Sequence, residues 1–344
     1  MSLRPTRLAV AALLAASLLV GNARAAEIKS LAIMAPEQPT DFGWNQQGVA
    51  AAQAVAKAHG LKFTAAVGLG YGDVRATLRE LSTDGTGLII AHASGYNTAA
   101  AEIADELHQR VAIVDSPTKL KPGLVADYTL NGREGAYLAG IVAARMTKSK
   151  TIAIVVSGEP PAWNAQSFGF ASGVRATDPK ITLRYAVIGP AAYSDAAGAK
   201  RVTDAAIAAG ADVVFGQGNG ASFGMMQAVD NAKPASGGKA WFIDVIGDKS
   251  SVDPDHLLTS VVWDYTPVFE AMLADIKNDS FGTHGYHLTL ASGSIRLLKS
   301  PNIPQTVWDE AMAAQQRIID GTLKVEETYD AARVHALMSS VATP

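Results

Sequence analysis

Short, unbroken apolar runs alternate with alanine-rich stretches of helical spacing, and the alternation happens twice along the chain. The first series has the runs Leu31–Ala35, Gly87–Ala91 and Val111–Val114, with Leu61–Val67 between them. Gln46–His59, Asp73–Asp84 and Thr98–His108 fill the gaps, and Gly60 closes the first of these. The second series runs Thr151–Val156, Ile181–Val187, Val213–Phe215, Ala240–Val245 and Leu257–Trp263. Its helical stretches are Ala165–Ala176, Ala196–Ala209 and Phe223–Ala232, and Pro267–Lys277 follows the last run. Runs this short, bounded by turn residues, read as buried strands. Strands covered by helices on both faces lose the polar alternation of an open sheet. Strand–helix repeats of this kind predict an α/β fold with parallel, doubly wound sheets. Val125–Leu130 and Glu134–Met146 complete the first series, and Lys148-Ser149-Lys150 breaks the pattern before it restarts. Two similar lobes are therefore expected, and 344 residues suffice to give each a core.

In such lobes ligands bind beyond the carboxyl ends of the strands. The residues falling there are Trp44 and Asn45, Ser94 and Tyr96, Asp115, Trp163, Asn219, Asp244, and Trp263. Trp44 follows Asp41-Phe42-Gly43 at a helix start, where free N–H groups and the positive dipole end sit. Rings plus neutral or acidic acceptors suit a heteroaromatic solute better than a sugar phosphate or a metal. Ring stacking adds about 0.5–1.5 kcal/mol per pair beyond area burial.

Other chemistry finds little support. Lys plus Arg is 29 against Asp plus Glu 32, which leaves no basic footprint for nucleic acid. With no cysteine there are no disulfides, thiolate metal sites or thiol nucleophiles. The seven histidines are scattered and no G-x-S-x-G elbow occurs. Gly68–Gly72 and Gly216–Gly220 match neither phosphate-loop pattern. No catalytic residue, metal ligand or cofactor is expected.

The order strand, Asp-x-x-aromatic-Asn, Gly, helix resembles the opening of the basic membrane protein (BMP) family of solute-binding proteins, whose members include purine nucleoside receptors (PnrA-like) of ABC importers. Arg133–Gly140, Phe168–Gly173 and Gly210–Phe215 are similar to that family too. The resemblance implies a two-lobed, type I periplasmic-binding-protein-like fold with three crossovers, near Lys148, Trp263 and Ala291. The expected lobes are then residues 26–147 with about 264–291, and 148–263 with about 292–330. It also implies an aromatic wall at Trp44, no enzyme activity, and an ABC permease in the inner membrane as partner of a monomeric receptor. Nucleoside-binding relatives often carry a lysine near Trp263, and this chain has none between Lys249 and Lys277. They often show Gly-Val-Asp where this chain reads Asp244-Val245-Ile246-Gly247-Asp248. Both departures favour a free purine-like base over a nucleoside.

Residues 1–25 read as a secretory signal: Arg4 and Arg7, an apolar stretch Leu8–Val20, then Ala23-Arg24-Ala25. The mature chain is expected in the periplasm without a lipid anchor. A ligand sensor for a signalling partner, or a secreted α/β hydrolase, stays open as an alternative.

Overall fold

The computed structural model describes residues 28–339. The expected signal segment lies outside them. In chain order the elements begin β1 (Ser30–Met34), α1 (Trp44–Ala58), β2 (Lys62–Ala66), α2 (Arg75–Thr83), β3 (Leu88–Ala91), α3 (Asn97–Leu107), β4 (Val111–Val114), β5 (Val125–Leu130) and α4 (Gly132–Met146). The second series is β6 (Thr151–Val156), α5 (Pro161–Thr177), β7 (Thr182–Val187), α6 (Ala196–Ala208), β8 (Val213–Gln217), α7 (Ala221–Asp230), β9 (Trp241–Ile246) and β10 (Leu257–Trp263). Then come α8 (Thr266–Lys277), β11 (Tyr286–Leu288), β12 (Ile295–Leu297), α9 (Gln305–Ile319) and α10 (Ala331–Ser339). The last two strands and last two helices have no counterpart in the sequence pattern, because three-residue strands carry too little periodicity to register.

The strands form two six-stranded sheets, in orders β11-β5-β4-β3-β1-β2 and β12-β10-β9-β8-β6-β7. Every pairing is parallel except that of β10 with β12. The fold is thus α/β, with two parallel sheets and flanking helices. Every residue of β3 and β4 is buried, as strands covered on both faces must be. Sheet membership changes after β5, after β10 and between β11 and β12.

Helix α4 departs from the expected grouping. It packs on α5, α9, β10 and β12, all of the second sheet. The reason lies in its small-residue face. A Cβ on Gly140 would drive into the backbone at Phe170, one on Gly169 into Arg133, and one on Gly173 into Tyr137. The backbones of α4 and α5 touch, so the two stretches Arg133–Gly140 and Phe168–Gly173 are the two sides of one helix crossing. The chain therefore leaves the first sheet at the Asn131–Gly132 turn, ahead of Lys148.

Gly173→Ala should force these helices apart. Overpacking of this kind costs about 1–3 kcal/mol. Denaturant unfolding should show a lower midpoint at unchanged slope; an unchanged midpoint would mean that the close approach carries no stability.

Candidate functional site

The loop between β1 and α1 is folded around one carboxylate. Asp41 accepts hydrogen bonds from the backbone N–H of Gly43 (3.1 Å), Asn45 (3.0 Å) and Gln46 (3.0 Å), and from the Asn45 side-chain amide (2.8 Å). A buried anion at a helix start satisfies orphan donors and meets the positive end of the dipole. The Asn45 carbonyl oxygen accepts from Glu37 N–H at 3.3 Å. Asn45 therefore shapes the loop from a fully buried position.

Trp44 heads α1 and is half-buried. Its indole N–H donates to the His92 carbonyl at 2.8 Å, and its ring stacks on the His92 imidazole, centroids 4.1 Å apart and 15° between planes. Trp263 and Tyr265 meet it edge-on at 6.3 and 5.9 Å. No other ring stacks on it among the described residues. Behind it, His92 is fully buried and bonded through both ring nitrogens, to the Tyr128 hydroxyl (2.6 Å) and the Trp44 carbonyl (3.0 Å). A carbonyl only accepts, so Nε2 carries the proton and the Tyr128 hydroxyl donates to Nδ1. Burial pushes His92 down to about 4, against the pull of the Trp44 carbonyl and the Asp41 charge. A neutral imidazole braces the indole. Gly48 makes room for it, since a Cβ there would fall on the His92 ring.

The same loop touches the second sheet's loops. Lys249 and Asp244 form a completely buried ion pair, and the Lys249 ammonium also donates to the Phe42 carbonyl at 3.1 Å. Ser222 Oγ donates to Asp244 at 2.9 Å. The Asn219 carbonyl oxygen accepts from Trp44 N–H at 3.3 Å. Ser194 Oγ donates to the Glu37 carboxylate at 2.9 Å. Gly247 lies against the Phe42 carbonyl with no space for a Cβ. Phe42 (φ 47°), Asp115 (φ 48°) and Ile246 (φ 72°) all take left-handed backbone at these strand ends. That conformation costs non-glycine residues about 1–3 kcal/mol each and clusters at functional sites.

The sequence-derived residues thus divide. Trp44 and Trp263 come together. Asp115 opens to solvent on one side, accepts from Leu130 N–H at 3.0 Å, and is pushed up to about 6 by crowding, with the Asp127 charge adding to the effect. Asn219 and Asp244 join the contact between sheets, Asp244 already neutralised by Lys249. Ser94 is exposed in a short 3₁₀ turn. Tyr96 is buried in a separate cluster behind the first sheet, its hydroxyl on the Gly70 carbonyl. Trp163 lies within α5, edge-on to Tyr193 at 5.4 Å, where a loop was expected. Pro161 starts that helix early, as proline at the first helical position does. Missed altogether were His92, Tyr128, Lys249 and Tyr265. His92 stands directly after β3, so strand-end logic could have found it.

The match to known proteins settles the class. The family model for Bmp, described as ABC transporter substrate-binding protein PnrA-like, matches residues 28–328. The chain belongs to that family. It is 27% identical over 227 residues to the ABC transporter nucleoside-binding protein BmpA of Lactococcus lactis subsp. cremoris. That alignment covers 62% of this chain and 63% of the relative, so the chain spans less than two thirds of its length. Among solved structures it resembles an ABC transporter solute-binding protein of Aeropyrum pernix (TM-score 0.75, 19% identity, 89% of this chain and 95% of that one). A second such protein, from Conexibacter woesei, gives TM-score 0.73 at 20% identity, over 87% and 98%. These likenesses establish the periplasmic-binding-protein-like fold. As a Bmp-family member the chain is a substrate-binding protein of the ABC transporter class, a family of solute binders rather than enzymes. Among the described residues no helix is long and apolar enough to cross a membrane.

His92 gives the family fold a signature in acid. Its folded pKa lies below the unfolded value of about 6.5, so the unfolded chain binds the extra proton. Its contribution to stability is complete above about 6.5 and is lost as pH falls toward 4. His92→Phe should remove about one proton's worth of slope from the unfolding free energy between those limits. Equal slopes in both proteins would mean that His92 titrates normally.

Proposed function

We propose that this chain is the periplasmic receptor of an ABC importer, which takes an uncharged, purine-like base or nucleoside between two lobes and delivers it to a membrane permease. One lobe is built on the first sheet, about residues 28–130 with 264–291, and the other on the second, about 132–263 with 292–339. The observation that carries the reading is the half-buried Trp44 indole, stacked on His92 by one face only and edged by Trp263 and Tyr265. A flat heteroaromatic ring on the other face would complete a stack in a place where strand ends of both sheets meet. The name of the Lactococcus relative, a nucleoside-binding protein, supports a ring ligand of this kind. Asp115 adds a recessed carboxyl for an N–H of the ligand. Lys249 and Asp244 neutralise one another and are already engaged, so they offer no charge to a phosphate.

Calorimetry with adenine, guanine, hypoxanthine, xanthine, urate and their nucleosides tests this. Trp44→Ala should weaken binding by about 2–4 kcal/mol, as truncated hot-spot aromatics do, roughly 30- to 900-fold in Kd. Unfolding midpoints measured in parallel separate lost stacking from lost folding. A wild-type protein that binds none of these compounds, or a folded Trp44→Ala that binds as tightly, overturns the reading.

A further inference from the structure

Among the described residues, ten buried side-chain polar atoms lack a hydrogen-bond partner, and six of the ten sit at or just beyond strand ends facing the cleft. They belong to Asn131, Ser157, Asn164, Gln166, Trp263 and Tyr265. Buried polar groups are nearly always paired, so such a concentration marks missing partners. The densest part surrounds the turn from β5 to α4. The point that a Cβ on Gly132 would occupy lies 3.1 Å from Trp263 Nε1 and closer still to Gln166 Oε1, and neither atom has a partner. Asn131 Oδ1 is next along the chain. The Tyr265 hydroxyl is also unpaired, on a ring that edges Trp44.

The identity of these atoms follows from their neighbours. Asn131 Nδ2 donates to the Glu134 carboxylate at 3.3 Å, and a carboxylate only accepts, so the oxygen is the free end of that amide. Gln166 Nε2 donates to Gln217 Oε1 at 2.8 Å, and Gln217 Nε2 in turn to Ser167 Oγ, which leaves Gln166 Oε1 as an acceptor. The indole N–H of Trp263 only donates. The set is therefore two amide acceptors, one donor and one hydroxyl, and none of the four carries a charge. Trp263 is also the ring that meets the Trp44 edge, so the set adjoins the indole wall.

We propose that the Asn131–Gly132 turn, with Gln166, Trp263 and Tyr265 around it, is the deep end of the ligand site and takes an uncharged –NH–C(=O)– edge. The carbonyl of that edge accepts from Trp263, and its N–H groups donate to Asn131 and Gln166. The inference rests on the ring-binding reading above and narrows it: oxopurines bearing ring N–H groups are the substrates, and the lactam side enters first. Gly132 is required because its missing side chain is the space the edge occupies.

The test uses xanthine as probe, with a xanthine methylated on both nitrogens of the six-membered ring as comparison. That analogue keeps the ring and carbonyls and loses the two donors. Wild type should bind it at least about tenfold more weakly than xanthine, since a site built for hydrogen bonds rejects an analogue lacking them. Trp263→Phe keeps an aromatic ring and removes only the donor; it should weaken xanthine binding about ten- to a hundredfold. Gly132→Ala places a methyl against the flexible end of Gln166, a clash a folded chain absorbs, and should weaken xanthine similarly. If wild type binds no ring compound at all, the ring-binding reading fails. If it binds xanthine and the methylated analogue alike, or Trp263→Phe and Gly132→Ala bind xanthine as wild type does, the lactam assignment fails while ring binding stands. A crystal structure of the complex with an ordered water on Trp263 Nε1, or competition by free ribose instead of the base, overturns it as well.

Discussion

The two sheets meet over a buried charge. Lys249 has its ammonium sealed from water between Asp244 and the Phe42 carbonyl, so one bond of that ammonium belongs to its own sheet and one to the other. Removing either partner of such a pair leaves an unpaired buried charge and typically costs about 3–5 kcal/mol. The pair thus demands that the β1–α1 loop be presented in one shape. Left-handed Phe42 turns its carbonyl toward Lys249, and Gly247 lets that carbonyl approach. The strain at Phe42 and Ile246 persists because this docking over-determines it.

From the docked loop the rest of the cleft follows. Asp41 gathers the N–H groups that open α1, which fixes where Trp44 leaves the helix. Its indole is held by a hydrogen bond along one edge and a neutral imidazole under one face. A charged imidazole would need a counter-ion in a place that has none, so burial and the Trp44 carbonyl together select a neutral His92. Ring, imidazole and the Tyr128 phenol form a continuous rigid backing that reaches into the first sheet. Preorganisation of this kind lowers the entropy lost when a ligand stacks.

On the other side, the glycine crossing of α4 and α5 sets the depth of the cleft. Because the two backbones touch, Gly132 is carried against Trp263 and Gln166, and the chain's first change of sheet doubles as part of the cleft wall. A hinge turn that also contacts ligand couples occupancy to the relative position of the lobes, since a ligand bound there favours whichever arrangement completes its contacts.

The sequence alone determined the α/β class, the doubling of the lobes and the strand ends as the working edge. These follow from the period of the apolar residues, which is local and survives without knowledge of neighbours. Quoting Trp44 and Trp263 together was within reach for the same reason, as both stand at strand ends. What each candidate does was decided only by tertiary structure, because hydrogen-bond partners lie far apart in the chain. Asn45 and Trp44 flank one peptide bond, yet Asn45 shapes the loop and Trp44 faces the cleft. Asp244 reads as a free acceptor until Lys249 folds onto it. His92 and Lys249 gave no motif, since their roles depend on Gly48 and Phe42 being opposite them. The grouping of α4 with the second sheet was likewise invisible: a helix's small residues show that something can approach closely, and only packing shows what does.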